Sequence, residues 1–357
     1  MIKKIIIIIT CVLLVMLAAA LGFGLNFYYN KTLQIEKEAE EIVSELEEEI
    51  KLLNDEYYGT KAYGKLQVIG TNLCDEEGNP IQLKGMSTHG VSWYPLYGNA
   101  GALETIKSYG ANIIRVAVYS EMYTNPEKNK DEYMNYLYLT IENALSLNMY
   151  VMVDWHVLKE ENPYLTVDVA IEFFEEISAH YGNHPYILYE ICNEPNGDTK
   201  WEDVYQYATE VIPVIRNNAE DSIIIVGTPD YCQDVEAAAK KPLPYDNIMY
   251  AFHMYFKVSE KPNDFGTADY CLKKMDLGIP VFVTEWGLKY DTEKIYSEET
   301  DYFIQELKKR NISWCNWSLS NKDESYSFIK SDCNKLSGWS ESDLTVGGNL
   351  IKKYLGY

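Results

Sequence analysis

The sequence predicts an α/β protein whose main body is a closed (β/α)8 barrel, a TIM barrel, preceded by an N-terminal signal-anchor helix and a short helical stalk. Three observations predict it. Eight short apolar runs begin near Gln82, Asn112, Met149, Tyr186, Ser222, Asn247, Pro280 and Ile312, at spacings of 30, 37, 37, 36, 25, 33 and 32 residues. Most are rich in Ile, Val and Tyr and too continuously apolar for a half-exposed sheet, so the strands are buried on both faces. Helical patterns fill the intervals, and strands that alternate with helices form a parallel sheet. Eight such units in about 250 residues or more fit a closed barrel. A doubly wound sheet is the competing topology. It carries a glycine-rich phosphate loop after its first strand, and Lys84-Gly85-Met86 is not one.

The front of the chain is an address. Met1 to Lys4 carries two positive charges, and none follows from Ile5 to Leu25, a run of 21 residues. About 20 apolar residues cross a bilayer core as a helix. Two readings of residues 1–29 stay open: an uncleaved transmembrane signal anchor, or a signal peptide cut near Ala18-Ala19-Ala20. The continuation of the apolar run through Leu21, Phe23 and Leu25 favours the anchor. Either exports the chain. Lys3 and Lys4 stay inside, and the remainder lies outside, at the cell surface or secreted.

Residues 30–58 read as an acidic helical stalk. Ile35, Ala39, Ile42, Leu46 and Leu53 fall on a heptad-like stripe that Glu49 interrupts. Ten acidic residues stand there against Lys31, Lys37 and Lys51. A solvated single-helix spacer is the favoured reading. A weak two-stranded coiled coil, and with it self-association, is the other.

From Tyr63 to Tyr357 no linker and no shift in composition interrupts the chain, so residues 63–357 are expected to form one domain. A β-hairpin opens it, Lys65 to Ile69 pairing with Ile81 to Leu83 around a turn at Glu77-Gly78-Asn79-Pro80. The formal net charge of the 357-residue chain is −23, which repels nucleic acid but not a neutral substrate. Seven cysteines without a CxxC pair, and without His at metal spacing, argue against a metal centre. The expected cofactor content is none, and the six cysteines beyond Cys11 are expected to be mostly free thiols.

Chemistry in a barrel sits where strands end. Those positions read Thr88-His89-Gly90, Arg115 to Tyr119, Asp154-Trp155-His156, Cys192-Asn193-Glu194-Pro195, Phe252-His253-Met254-Tyr255, Thr284-Glu285-Trp286-Gly287 and Asn316-Trp317-Ser318. Arg, His and Glu behind apolar strands are costly unless paired, so stability alone does not place them there. Glu194 ends the fourth strand and Glu285 the seventh, on opposed sides of the mouth. Paired carboxyl groups flanking a sugar are the machinery of glycoside hydrolysis, one protonated and one ionised. Arg115 and Tyr255 are candidates to hydrogen-bond the ionised one and lower its pKa. A lyase or aldolase needs a Schiff-base Lys, a phosphate loop or a metal cluster at the strand ends, and none is visible. A non-catalytic carbohydrate-binding barrel usually lacks one carboxylate, and both are present.

The segments Leu83 to Gly90, Asp154-Trp155-His156, Glu190 to Gly197, Val283 to Gly287 and Asn316 to Ser320 together resemble glycoside hydrolase family five, most closely its bacterial endo-β-1,4-glucanases of subfamily two. The resemblance runs from about Tyr63 to the end. It implies a retaining hydrolase of cellulose-type β-glucan, with mannan, xyloglucan or mixed-linkage glucan as alternative polymers. It implies Glu194 as acid/base and Glu285 as nucleophile. Asn193 would hold the substrate 2-hydroxyl, Arg115 and Tyr255 would orient the nucleophile, and His156 and His253 would line the cleavage subsite. Trp317 would be the aromatic platform. His89, Trp93 and Tyr119 would line the non-reducing side, with Lys322 and Glu324 further along it. The chain departs from the family at Tyr231, where many members carry Trp on the leaving-group side. Met254 and Phe256 are also unusual and are expected to narrow the cleft.

Overall fold

The computed structural model describes residues 63–357, except 126, 128, 183, 258–264, 290–296 and 357, and also Lys37 and Ile42. The anchor expected over 1–29 lies outside the described residues, as does the stalk over 30–58 but for those two exposed helical positions. The chain divides into two units, residues 1–59 and 60–357, and the account below concerns the second. Among the described residues no helix is long and apolar enough to cross a membrane.

Strands β1 (Gln67–Ile69) and β2 (Asn72–Cys74) form a small antiparallel hairpin. The expected hairpin partner is therefore corrected. The turn falls at Gly70-Thr71, where Gly70 takes the left-handed conformation (φ +64°) that a two-residue turn requires. The stretch Glu77 to Pro80 instead makes a second, looser turn, closed by a single bridge from Cys74 to Pro80.

Eight parallel strands then close into a barrel: β3 (Lys84–Thr88), β4 (Ile113–Tyr119), β5 (Tyr150–His156), β6 (Ile187–Glu190), β7 (Ile224–Val226), β8 (Ile248–Lys257), β9 (Val281–Lys289) and β10 (Trp314–Leu319), with β10 returning to β3. Each is followed by a helix. The helix Trp201–Asn218 buries Trp201, Val204, Tyr207, Ala208, Val211, Ile212 and Ile215, a three-and-four spacing that lays one apolar face on the barrel.

Alternation along the strands sorts side chains into two sets. The outward set, including Val151, Val153, Trp155, Val283 and Trp286, packs under the helices. The inward set near the strand starts is apolar: Ile113, Tyr150, Leu188, Ile223, Met249, Phe282 and Cys315. Leu66, Leu73, Ile81 and Leu83 close that end of the barrel. The inward positions further along are polar, so the apolar plug supports a charged layer. The six cysteines among the described residues are free and buried.

Candidate active site

Arg115 is fully buried at the centre of that polar layer, and its guanidinium makes four hydrogen bonds and one further ion-pair contact. Nε donates to Oε2 of Glu190 at 2.6 Å. Nη1 donates to Oε2 of Glu285 at 3.1 Å and to Oγ of Ser87 at 3.2 Å. Nη2 donates to Oδ1 of Asn193 at 2.6 Å and lies 3.0 Å from Oδ2 of Asp154. These partners are supplied by β3, β5, β6, the loop after β6, and β9.

Glu285 reaches this layer through a β-bulge. Ala251 pairs with Phe282, but His253, two residues on, pairs with Glu285, three residues on. The other neighbour shows the same extra residue, Trp314 opposing Val283 and Asn316 opposing Trp286. A regular strand with Phe282 inward would turn Glu285 outward; the bulge reverses the face. Its Oε1 then accepts a short hydrogen bond from the Tyr255 hydroxyl, while Oε2 accepts from Arg115.

Glu194 follows β6, on a loop pinned to its neighbour by Asn193 N–H donating to Trp155 O and Glu194 N–H donating to Val157 O, each at 3.1 Å. Gly227 packs against this loop so closely that a Cβ would stand 2.3 Å from Cys192 O. Oε1 of Glu194 lies 2.8 Å from Nδ1 of His253, whose Nε2 lies 2.8 Å from Oγ1 of Thr284. One carboxylate oxygen of Glu194, one of Glu285 and one ring nitrogen of His253 all lie within 4.8 Å of one another. Three such atoms could meet around a cation. They are engaged already: His253 with Glu194, and both oxygens of Glu285 with Tyr255 and Arg115.

Burial raises the pKa of both carboxyl groups. For Glu285 the neighbouring Glu194 adds to the rise, and His253 and Arg115 oppose it. For Glu194, His156 and Arg115 oppose. The expected net lowering of Glu285 is therefore corrected: Arg115 acts in that direction but is outweighed by desolvation and by the neighbouring Glu194. Asp154 is pushed up to about 7 by burial against the opposing pull of Arg115. His253 is held down at about 4 and His156 at about 3, both chiefly by burial. Hence the 2.6 Å contact from His156 Nδ1 to Asp154 Oδ2 is a hydrogen bond from a neutral ring, not an ion pair.

Trp317 forms one wall. Its ring lies nearly parallel to that of His156 (18°, centroids 5.4 Å apart) and 4.8 Å from that of His89. Tyr119 also packs against His156, with ring centroids 4.2 Å apart. Lys322 Nζ lies 2.7 Å from Glu324 Oε2, and Glu324 Oε1 lies 3.7 Å from Nδ1 of His89. Trp93 is 53% exposed and Tyr231 is 47% exposed. Tyr231 sits in a run of three left-handed residues, Asp230 to Cys232, and its N–H donates to Pro195 O beside Glu194. Met254 and Phe256 do not narrow the cleft: with Tyr255 inward, both point outward into the helix-facing core.

Sequence reasoning left Ser87, Asp154, Glu190 and Thr284 out of the site. Asp154 and Glu190 carried a signal, since each precedes a singled-out residue by an even step, His156 by two and Glu194 by four.

The fold and this pair of carboxyl groups define the class: a (β/α)8 barrel with the layout of a glycoside hydrolase. The cellulase (glycosyl hydrolase family 5) model matches residues 74–323, and the chain belongs to that family. It is 40% identical to an endoglucanase of Clostridium saccharobutylicum over 300 residues, 82% of this chain but 65% of that protein, less than two thirds of its length. It is 41% identical to endoglucanase A of Butyrivibrio fibrisolvens over 321 residues, 87% of this chain and 71% of that one. Among solved structures it is similar to the catalytic domain of the Thermobifida fusca endoglucanase, with a TM-score of 0.74 and 35% identity over 83% of this chain and 98% of that one. A variant of that domain in complex with cellotetraose is similar to the same degree (TM-score 0.73, 36% identity, 83% and 98% covered).

Proposed function

We propose that this protein is a retaining endo-β-1,4-glucanase acting on cellulose-type glucan, with Glu194 as acid/base and Glu285 as nucleophile. The separation of the two carboxyl groups carries the reading. Oxygens within 4.8 Å leave no space for a water between nucleophile and sugar, and retaining enzymes hold their carboxyls about 5 Å apart. Glu285 attacks the anomeric carbon, its two oxygens aimed by Tyr255 and Arg115. Glu194 protonates the departing glycosidic oxygen, and a covalent glycosyl-enzyme forms. Glu194, now ionised, takes a proton from water, which displaces Glu285 and restores the starting configuration. Burial raises the pKa of Glu194, the direction an acid needs, and His253 fixes its orientation. Asn193, held by Arg115, presents its amide beside the sugar. Trp317 supplies a stacking face, and exposed Trp93 and Tyr231 extend that surface for a polymer longer than the reacting unit.

The run from Ile5 to Leu25 supports export on a retained membrane anchor, with the barrel outside the cell. The test is the full chain on a soluble cellulose derivative, followed by viscosity and reducing ends. Rapid loss of viscosity with few new ends is expected, as are losses of at least about a thousandfold for Glu194→Gln and Glu285→Gln. Wild-type turnover in both variants sinks the assignment.

A further inference from the structure

Two buried acids have no step in that mechanism, Asp154 and Glu190, and both are bound to Arg115. Glu190 makes the shorter contact, 2.6 Å to Nε, against 3.1 Å from Nη1 to Glu285. Nε is the one donor on the stem of the guanidinium. Whatever holds it fixes the roll of the group about its own stem, and so decides where both outer nitrogens point. Here Nη1 points to Glu285 and Nη2 to Asn193, the residue before Glu194. One plane therefore aligns the wall carrying the nucleophile with the wall carrying the acid/base.

Charge gives Glu190 a second effect. A lone guanidinium facing a carboxylate at 3.1 Å would drain the electron density with which that carboxylate attacks. With Glu190 seated on Nε at 2.6 Å, part of the cation's charge is compensated before it reaches Glu285. The other oxygen of Glu190, Oε1, is buried without a hydrogen-bond partner and lies 4.0 Å from Nε2 of His253. Among the described residues, the bond from Arg115 Nε is the one hydrogen bond this buried carboxyl makes.

We propose that Glu190 is a positioning residue of the reaction: it orients Arg115 and takes up its charge, so that Arg115 aims Glu285 without neutralising it. This rests on the retaining mechanism above and deepens it. The groups facing Arg115 and Glu285 are Ser87 from β3, Tyr119 from β4, Asp154 and His156 from β5, Asn193 and Glu194 after β6, His253 and Tyr255 from β8, and Thr284 from β9.

The experiment is the pH dependence of kcat/KM for the full chain and for Glu190→Gln on an aryl cellobioside. Glutamine keeps an acceptor for Nε and removes the charge. The uncompensated Arg115 then holds the Glu285 anion more tightly, so the acid limb moves down by about one pH unit, while kcat falls about tenfold and KM changes less than about twofold. A folded Glu190→Gln with the wild-type limb and kcat overturns the inference. Should that variant not fold, Glu190→Asp keeps the charge but draws it back from Nε by one methylene. kcat must then fall while the acid limb stays near that of the wild type, and a folded Glu190→Asp with the wild-type kcat overturns the inference equally. An inactive wild-type chain fails the proposed function itself, and is told apart because it precedes any substitution.

Discussion

Glu285 is the register partner of His253, and its side chain enters the barrel because β9 carries one residue more than β8 at that level. The extra residue puts two consecutive side chains, Thr284 and Glu285, on the inner face. It brings the Glu285 carboxylate to Arg115 and Tyr255, and it leaves Thr284 inward as well, with its hydroxyl 2.8 Å from Nε2 of His253. His253 is thereby gripped at both ring nitrogens, by Thr284 and by Glu194.

Loss of the Thr284 grip loosens the acid/base. Thr284→Ala removes one buried hydrogen bond, about 1–2 kcal/mol, and kcat/KM is expected to fall about tenfold. Thr284→Ser restores the hydroxyl and most of the rate. Steady-state kinetics of the two variants, side by side, check this.

Tyr255 stabilises the Glu285 anion by donating to Oε1. In Tyr255→Phe that donor is gone, the nucleophile holds its proton more tightly, and the acid limb of kcat/KM moves up in pH. The sign is opposite to that expected for Glu190→Gln. The rate at the optimum falls about tenfold to a hundredfold. Rate profiles between pH 4 and 8 read both effects.

Gly287 lies where the rings of Tyr255 and Tyr326 converge. A Cβ there would stand 2.8 Å from Cε1 of Tyr255 and 3.2 Å from Tyr326. Gly287→Ala pushes Tyr255 off Glu285, so activity drops about tenfold while stability falls by about 1–3 kcal/mol. Urea melts beside kcat measurements separate the two costs.

His156 makes stability depend on pH. Its folded pKa is held at about 3, first by burial and then by Arg115, whereas a free imidazole titrates near 6.5. Above pH 6.5 both states are neutral and the group contributes nothing. As pH falls below that, the unfolded chain takes a proton that the folded chain refuses, and stability is lost until about pH 3. Between pH 7 and 5 the loss from this residue is about 2 kcal/mol. His156→Asn keeps a donor for Asp154 and removes the titration. The difference in unfolding free energy between pH 7 and 5 should shrink by about that amount.

Much of this was legible in the sequence. The start of every barrel strand lies within two residues of an apolar run, because strands buried on both faces leave an uninterrupted apolar signature. Glu194, Glu285, Arg115, Tyr255 and His253 stand out because polar side chains at strand ends need partners, and the structure brings these five together. The rest was hidden for definite reasons. Glu190 sits inside an apolar run, where its spacing from Glu194 is a weak mark and its role shows only in the pairing with Arg115, 75 residues away in the chain. The bulge in β9 has no mark in Val281 to Lys289, since its extra residue is defined by the neighbouring strands. Met254 and Phe256 flank Tyr255 in sequence, and alternation along β8 turns them to the face opposite the cleft. The hairpin went wrong because Gly70-Thr71 is a weaker turn signal than Glu77-Gly78-Asn79-Pro80, yet sits at the spacing that two short strands can use.

The central claim is that Glu285 bonds to the sugar while Glu194 moves the proton. A cellobioside with fluorine at the 2-position and a reactive leaving group forms the glycosyl-enzyme but releases it slowly. Mass spectrometry of the treated full chain, intact and digested, should find one sugar unit per molecule on the peptide carrying Glu285, and none in Glu285→Gln. A label on Glu194 or any other residue, or no label together with a product of inverted anomeric configuration, contradicts the account.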